Sequence, residues 1–542
     1  MRSGGKLVAS FRSEPRTFNR LVSPRAAEEL VTRLTQAPLI RFNRTTRALD
    51  PWLADRWTSS PDKLTWTLHL REGVTFSDGT PFTSDDVVFT FAALYDPVAK
   101  TDVAESLVID GKPIGVSAPD KNTVVLKFPA PYGPGIALLD SLPILPRHKL
   151  AAAVTGGTFR EAWGVDTPVA DLAGLGPFVI REYKRGERMV FARNPHYWRK
   201  DDAGVKLPYL DEIEVQFVAD QNTEVLRLQA GESDLLTDLI RAEDVASFRK
   251  AMATGQVGLV DAGISVSPDW LVFNLVPGAA VAAKRPWLQR EELRQAVSYA
   301  VDRQALVDTV YLGAAVPVFG PITPGHGEWY LADGPRTDYD QSRARTLLAT
   351  IGLRDRDGDG TVDDESGKSA AFSLLVQKGT LRERVAVFLK DQLAKVGLTV
   401  DVAALDQLSL IDHWQRADYD AMYHYILFDT PDPSRNLEFW ASSGGFHFWD
   451  PGQKKPATAW EAEIDAKMRA VSSTMDEAAR VRAFADVQRV MAAHLPIVYF
   501  IAPRVMVPMS GRVRGATPAV LLPLTVLWNA DSLWIARDGP RD

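Results

Sequence analysis

A strand–helix–strand run at residues 372–402 constrains the fold of this chain more than any other segment. Residues 372–377 are strand-like, 381–396 carry apolar residues at helical spacing, and 398–402 are again strand-like. Gly397 stands where the cap of the helix is expected. Two strands joined in this way pair in parallel through a right-handed crossover, so the run predicts an α/β fold.

Similar patterns predict regular elements along most of the chain. Alternation of apolar and polar residues predicts strands at 63–71, 124–128 and 213–217, with a hairpin turn at 184–187. Helical spacing predicts helices after an N-cap at Thr83, at 222–230, at 291–312 and after a capping box of Thr474 and Glu477. Strands alternating with helices again favour the α/β class.

Length and composition bound the class of protein. The 542 residues are too many for one core and correspond to about three to four domains. A net charge of −7 without long blocks of one sign argues against nucleic-acid binding. The absence of cysteine excludes disulfides, thiol nucleophiles and zinc–cysteine sites. The 14 tryptophans are unusual and fit either the core or an aromatic pocket.

The sequence contains no apolar run of the ~18–20 residues that a membrane-spanning helix needs. Residues 1–11 lack the apolar region of a signal peptide, so the chain is either cytosolic or a mature protein whose signal has been removed.

Motifs for catalysis are missing from the sequence. There is no nucleophile elbow, zinc-protease helix, Walker A loop or dinucleotide fingerprint, and the eight histidines show no metal-ligand spacing. Carboxylates are too numerous for any pair to stand out as acid and base. We therefore expect a protein that is not an enzyme.

An acidic loop at 355–366 provides the most specific metal signal. Asp355, Asp357 and Asp359 occupy positions 1, 3 and 5 of an EF-hand-like calcium loop, with Gly360 at the turn and the Thr361 carbonyl at position 7. Position 12 is Ser366, and the segment that follows reads as a strand, not a helix. Two interpretations stay open, a structural calcium site and a bare surface turn.

The sequence contains three long motifs, LDPWLADRW at 49–57, LTWTLHLREGV at 64–74 and FSDGTPFTSDDVVF at 76–89. Together they resemble the signature of the bacterial family 5 extracellular solute-binding proteins, the oligopeptide, dipeptide and nickel receptors of ABC importers. Further similarity covers 174–178, 194–198, 293–303 and 429–434, in order along the chain.

The resemblance implies a periplasmic-binding-protein type II-like α/β clamp of two lobes with an extra third domain. Lobe I would comprise 1–45, 174–270 and 503–542, the extra domain 46–173, and lobe II 271–502. Ligand would be enclosed by hinge closure. The implied location is periplasmic or extracellular, with membrane association through the transporter or a lipid anchor.

The resemblance also points to ligand contacts. In peptide receptors of the family an aspartate before a Pro-rich turn pairs with the ligand α-amino group, and Asp429 matches it here. The alternative is that Asp429 only caps a turn; Asp432 is interpreted as the turn former. The aromatic candidates are Trp414, Tyr423, Tyr425, Phe428, Tyr499 and Phe500. Each of them fits the core as well as a ligand contact.

The function implied is the substrate-binding component of an ABC importer for peptides. The alternatives are an oligosaccharide, a glycoside or a metal chelate as ligand. Expected partners are a small-molecule ligand and the permease subunits, with no nucleic acid, and the protein is expected to be a monomer. No cofactor is expected to be required, with structural calcium as the open alternative.

Overall fold

The computed structural model describes residues 3–379, 381–426, 428, 430–521 and 524–536. The chain divides into two compact units. The first unit comprises Met1–Ile240, Asp244–Ala262 and Met506–Asp542, and the second comprises Arg241–Glu243 and Gly263–Val505. A further division of the first unit into a lobe and an extra domain stays a prediction.

Two sheets organise the first unit. In one, the strands follow the order Phe178–Lys184, Arg188–Arg193, Glu212–Phe217, Lys6–Phe11 and Leu235–Leu236. The other is antiparallel, in the order Ala54–Ser59, Thr65–Leu70, Thr123–Lys127 and Gly115–Asp120. The hairpin turn predicted at 184–187 and the strands predicted at 63–71, 124–128 and 213–217 are confirmed to within a few residues.

Helices accompany these sheets, and short strands pair with one another in three two-stranded sheets. The α-helices of the first unit are Ala26–Thr35, Ser84–Leu94, Arg147–Thr155, Gln221–Ala230 and, beginning at the border of the division, Ala242–Ala251. Its short strands are Ile40–Phe42, Leu49–Pro51, Val108–Ile109, Lys112–Pro113, Val513–Arg514 and Trp534–Ile535. The N-cap at Thr83 is confirmed, because its backbone N–H donates to Asp86 Oδ2 at 2.9 Å in a capping box.

A mixed sheet forms the centre of the second unit. Its strands follow the order Ala315–Pro317, Ile497–Ser510, Asp269–Phe273, Ala421–Tyr425, Ala371–Gln377 and Thr399–Leu405. Two strands contain residues of both units. They are Ile497–Ser510, which begins in the second unit, and Val257–Ile264, which begins in the first. The crossover predicted at 372–402 is confirmed, since Ala371–Gln377 and Thr399–Leu405 pair in parallel.

Helices on this sheet bury a large core. The α-helices of the second unit are Ala280–Lys284, Glu291–Ala300, Arg303–Thr309, Gln341–Thr350, Leu381–Ala394, Gln407–Gln415, Leu437–Trp440, Ala459–Ser473 and Glu477–His494. Among the described residues, no helix combines the length and the apolar character that crossing a membrane requires.

Two helix predictions in this unit were wrong in detail. The single helix predicted at 291–312 is interrupted, because Val301 is extended and Asp302 starts a second helix by accepting the Ala305 N–H at 2.9 Å. The predicted box of Thr474 and Glu477 is not formed. Asp476 caps that helix instead by accepting the Ala479 N–H at 2.7 Å, and Thr474 ends the preceding helix.

Candidate functional site

The strand Ala421–Tyr425 leads to an open space in the second unit. It lies in the middle of the sheet, antiparallel to Asp269–Phe273 and parallel to Ala371–Gln377. Successive side chains of a strand point to opposite faces. Tyr423 accordingly lies in the hydrophobic core of the second unit, whereas the next residue, His424, borders a cavity.

The cavity has a volume of about 470 Å³, within the usual range of small-ligand pockets of roughly 300–1,000 Å³. Its walls come from the end of a helix, the end of the strand, a turn with a short helix, and a loop. They are Ile411, Trp414, Gln415, His424, Tyr425, Ile426, Arg435, Asn436, Glu438, Phe439, Gly445, Phe446 and Phe448. Aromatic and aliphatic side chains make up most of this surface.

The wall formed by Trp414 and Phe448 is held by hydrogen bonds. Trp414 Nε1 and the Tyr419 hydroxyl each donate to the Phe448 carbonyl oxygen at 3.0 Å. The rings of Trp414 and Phe448 pack with their centres 4.9 Å apart. Because Trp414 and Tyr419 both donate to the Phe448 carbonyl, these hydrogen bonds hold this wall in place without a ligand.

The adjoining wall is a glycine-containing loop folded onto Glu438. The Gly445 N–H donates to Glu438 Oε2 at 2.6 Å, and the Phe446 N–H donates to the Glu438 carbonyl at 2.9 Å. A Cβ at Gly444 would lie 2.2 Å from that carbonyl oxygen, so only glycine fits there. The loop presents Phe446, which is 50% exposed and stacks on Phe448.

An ion pair between the partly buried Arg382 and the buried Asp269 lies beside the Tyr425 ring. Arg382 donates to Asp269 Oδ1 at 2.9 Å, and the Tyr311 hydroxyl donates to Asp269 Oδ2 at 2.9 Å. Burial alone lowers the pKa of Arg382, but the charge of Asp269 outweighs it and raises that pKa above its ordinary value. The guanidinium lies 3.8 Å from the centre of the Tyr425 ring, a cation–π distance.

His424 is the most deeply buried polar side chain of the cavity wall. It is 6% exposed, and its Nδ1 has no hydrogen-bond partner among the residues that the structure describes. Its ring meets Trp270 edge-on with centres 5.9 Å apart. Burial, assisted by the charge of Arg382, lowers the pKa of His424 to about 3, so its imidazole is neutral at physiological pH.

The predicted binding residues fall into three groups. Trp414 and Tyr425 line the cavity. Tyr423, Phe428, Tyr499 and Phe500 are at most 2% exposed and belong to the packed interior. Asp429 lies outside the described residues. Binding roles for all of them stay predictions.

Phe428 and Asp432 flank Asp429 in the chain. The Phe428 N–H donates to Ser267 Oγ at 3.0 Å, and its buried ring packs against Phe439 with centres 5.6 Å apart. Asp432 forms the turn as predicted, since its Oδ1 accepts the Ser434 N–H at 3.0 Å. Arg480 completes this turn through an ion pair to Asp432.

Two important side chains were not singled out from the sequence. Arg382 comes from the first turn of the helix Leu381–Ala394, and no motif marks it. His424 was noted only as a histidine without metal spacing. Their positions depend on strand pairing, Trp270 opposite His424 and Asp269 opposite Tyr425, which one sequence does not reveal.

The acidic loop is described in full, and its residues 355–360 are exposed. Asp355 accepts the Gly358 and Gly360 N–H groups at 2.8 and 3.0 Å, and Asp359 accepts the Thr361 N–H at 2.7 Å. One carboxylate oxygen from each of Asp355, Asp357 and Asp359 lies within 4.8 Å of the others. The hydrogen bonds within the loop fit a surface turn, whereas the clustering of the carboxylate oxygens fits a cation site. Calcium binding therefore stays a prediction.

Comparisons with known proteins identify the chain. The model of the bacterial extracellular solute-binding proteins, family 5, matches residues 48–448. The chain belongs to this family. The resemblance stated from the sequence is thereby confirmed, as is the α/β fold of the type II periplasmic-binding-protein class.

Full-length relatives of this family 5 protein include a probable ABC transporter-binding protein of Deinococcus radiodurans, 27% identical over 100% of this chain and 93% of that protein. The oligopeptide-binding protein AppA of Bacillus subtilis, solved with a nonapeptide, is 25% identical, with a TM-score of 0.76 over 99% of this chain and 100% of that one. MelB of Agrobacterium fabrum, solved with stachyose, is 23% identical, with a TM-score of 0.78 over 98% of this chain and 85% of that one.

Proposed function

We propose that this chain is the substrate-binding component of an ABC importer, that it captures peptides, and that it delivers them intact to the permease subunits. The observation that carries the proposal is the end-to-end likeness to AppA, whose structure holds a nonapeptide. The segment around Asp429 supports it, because a carboxylate there would pair with a peptide α-amino group by a charge-assisted hydrogen bond.

The cavity beside Tyr425 supplies a second line of support. It lies next to the predicted ligand strand, and its walls are fixed by hydrogen bonds within the second unit. A binding protein gains affinity from such a site because little conformational freedom is lost when the ligand enters. A receptor needs no acid, base or nucleophile, and we propose that the protein catalyses no reaction.

Native mass spectrometry of the purified protein, followed by incubation with a defined peptide pool, tests the proposal. We expect retention of intact peptides, recovered unchanged after the protein is denatured. Recovery of cleaved peptides would indicate an enzyme, and the absence of any bound peptide at millimolar concentrations would contradict the proposal.

A saccharide is the second candidate ligand. MelB holds stachyose, and the cavity is lined by the rings of Trp414, Tyr425, Phe446 and Phe448, which suit the apolar faces of sugars. Separate calorimetric titrations with stachyose and with the peptide pool distinguish a saccharide ligand from a peptide ligand. Tight binding of the sugar without peptide binding would favour this candidate.

The proposal places the protein outside the cytoplasmic membrane, as a monomer that meets its permease there. Ligand capture is proposed to need no cofactor. A calcium ion at Asp355, Asp357 and Asp359 would stabilise that loop and take no part in transport.

A further inference from the structure

Residues 441–458 connect two helices of the second unit and carry part of the cavity wall. Phe446 and Phe448 line the cavity. His447, between them, is 1% exposed, and Asp450, two residues further on, is 6% exposed. Two buried titratable side chains are therefore joined through the backbone to the aromatic side chains of the wall.

Glu461 is the third buried titratable group, 3% exposed, on the first turn of the helix that follows. Its Oε2 accepts the Ala457 N–H at 2.8 Å, and the N–H and hydroxyl of Thr458 at 2.8 and 2.9 Å. Its Oε1 accepts Trp449 Nε1 at 3.0 Å, with His447 Nε2 at 3.6 Å. A carboxylate with several donors favours its charged form, so Glu461 stays an anion and holds the segment to the helix.

Asp450 has the opposite surroundings. No described residue donates a hydrogen bond to its carboxylate, and the charges that act on it are those of His447 and Glu461. Lys454 and Lys455, the cations of the same segment, are exposed. A buried carboxylate without donors is unfavourable, and a second carboxylate nearby increases the cost of its charge. The two carboxyl groups thus differ in role, Glu461 as a lasting anion and Asp450 as a group that takes up a proton.

Tyr419 connects Asp450 to the cavity wall. Its hydroxyl is one of the two donors to the Phe448 carbonyl, at 3.0 Å. Burial and the negative charge of Asp450 together raise the pKa of this hydroxyl, so the carboxylate is close enough to act on the donor. The backbone adds a second connection, because the Asp450 N–H donates to the His447 carbonyl at 3.2 Å. A change of charge at Asp450 therefore acts on the groups that position Phe448.

We propose that Asp450 is the proton-responsive residue of a pH-sensitive switch in the cavity wall, and that residues 445–450 open more readily when Asp450 is ionised than when it is protonated. Ionisation adds a second buried negative charge to that of Glu461, and exposure of the segment to water relieves it. The cavity is consequently held more firmly in acidic than in neutral surroundings. This inference goes beyond the proposed function, since it concerns the wall and not the class of ligand.

Hydrogen exchange followed by mass spectrometry, on the full chain at pH 5 and pH 7.5, tests the proposal. The rates are corrected for the intrinsic pH dependence of exchange, so that they report the opening of the segment. The opening equilibrium of residues 445–450 should be about tenfold larger at pH 7.5, the factor that a pKa raised from 3.8 to about 6 produces over this interval. An opening equilibrium that is the same at both pH values, or larger at pH 5, would overturn the proposal.

Variants assign the effect to Asp450. Asp450→Asn cannot ionise and keeps the size of the side chain, so the ratio between the two pH values should fall below twofold. Asp412→Asn is the matched control, because Asp412 forms an exposed ion pair with Arg416 at 2.7 Å and does not line the cavity. This control should keep the tenfold ratio of the wild type. A tenfold ratio that persists in Asp450→Asn would contradict the assignment.

Infrared difference spectra between the wild type and Asp450→Asn report the protonation of this carboxyl group itself. The band of the protonated acid should disappear with a midpoint at about pH 6, and a midpoint at the ordinary value of 3.8 would refute the switch. Neither measurement uses a ligand. Failure of all peptides to bind would therefore contradict the proposed function alone, while exchange and infrared spectra decide the role of Asp450.

Discussion

Arg382 places its guanidinium carbon 3.8 Å from the centre of the Tyr425 ring while it donates a hydrogen bond to Asp269 Oδ1 at 2.9 Å. One cation thus neutralises a buried carboxylate and supports an aromatic side chain of the cavity wall. Asp269 is 2% exposed, and its two carboxylate oxygens accept hydrogen bonds from Arg382 and from the Tyr311 hydroxyl.

The first prediction concerns the loss of the Arg382 guanidinium. Arg382→Ala leaves the Asp269 carboxylate buried without a counter-charge, and we expect it to lower the free energy of unfolding by about 3–5 kcal/mol. Urea denaturation followed by circular dichroism measures the change. The matched control is Arg384→Ala on the same helix, because its ion pair with Glu243 at 2.9 Å is exposed and should contribute less than about 1 kcal/mol. Equal effects of the two substitutions would show that burial of the pair is unimportant.

Asp429→Asn tests the charge contact that the family resemblance implies. We expect this variant to bind a peptide with a free α-amino group well over tenfold more weakly, since a charge-assisted hydrogen bond to an ammonium is lost. Calorimetry with the free peptide and its N-acetylated form measures the effect. Acetylation should weaken binding to the wild type and leave the variant nearly unaffected; the same loss on acetylation in both proteins would exclude the contact.

Much of the fold is readable from local patterns, and the site is not. The strand–helix–strand run at 372–402 is visible because each element carries its own periodicity and cap. The break at Val301 and Asp302 is hidden, because apolar residues keep helical spacing through it and a single side chain decides where the second helix begins. Local sequence therefore predicts elements better than their ends.

Placement of the aromatic residues follows from tertiary packing. Trp414 and Tyr425 line the cavity, whereas Tyr423, equally aromatic and two residues from Tyr425, is fully buried in the core. The sequence alone does not distinguish the two tyrosines. Their difference in burial arises because Tyr425 lies at the end of the strand and Tyr423 in its middle. The ion pair of Arg382 with Asp269 joins distant parts of the sequence and is equally invisible in it.

The glycine loop gives the third prediction. A Cβ at Gly444 would lie 2.2 Å from the Glu438 carbonyl oxygen and 2.6 Å from its carbon, so Gly444→Ala must displace the loop that carries Phe446. We expect a loss of about 1–3 kcal/mol in unfolding free energy and weaker ligand binding. Gly445→Ala is the local control, because its Cβ would meet only the flexible end of the Glu438 side chain at 3.2 Å. A larger effect at Gly445 than at Gly444 would be inconsistent with the loop geometry.

The calcium hypothesis for the acidic loop makes the fourth prediction. If Asp355, Asp357 and Asp359 ligate calcium, protein stripped with EDTA should take up the ion with measurable heat, and millimolar calcium should raise its melting temperature. Asp357→Asn should weaken both effects. The alternative, a turn held by bonds such as Asp355 to the Gly358 N–H, predicts neither heat nor a thermal shift.

A pH-dependent stability at Asp450 is the final prediction. Burial raises the pKa of Asp450 from 3.8 to about 6, with the charge of Glu461 adding to the effect. The folded state then favours the protonated acid, so this group destabilises the protein increasingly as pH rises from about 4 to 6. Asp450→Asn cannot ionise, and its stability relative to the wild type should increase over that interval, by at most about 3 kcal/mol. The pKa of Glu461 shifts in the opposite direction. Burial alone would raise it, but hydrogen bonds from Trp449 and Thr458, together with His447 at 3.6 Å, outweigh burial and lower this pKa to about 2. The stability that Glu461 provides is complete above pH 4.5 and is lost only as pH falls towards 2. Urea midpoints of the wild type and of Asp450→Asn at pH 4, 5, 6 and 7 isolate the contribution of Asp450. Parallel curves for these two proteins would show that the pKa of Asp450 is ordinary.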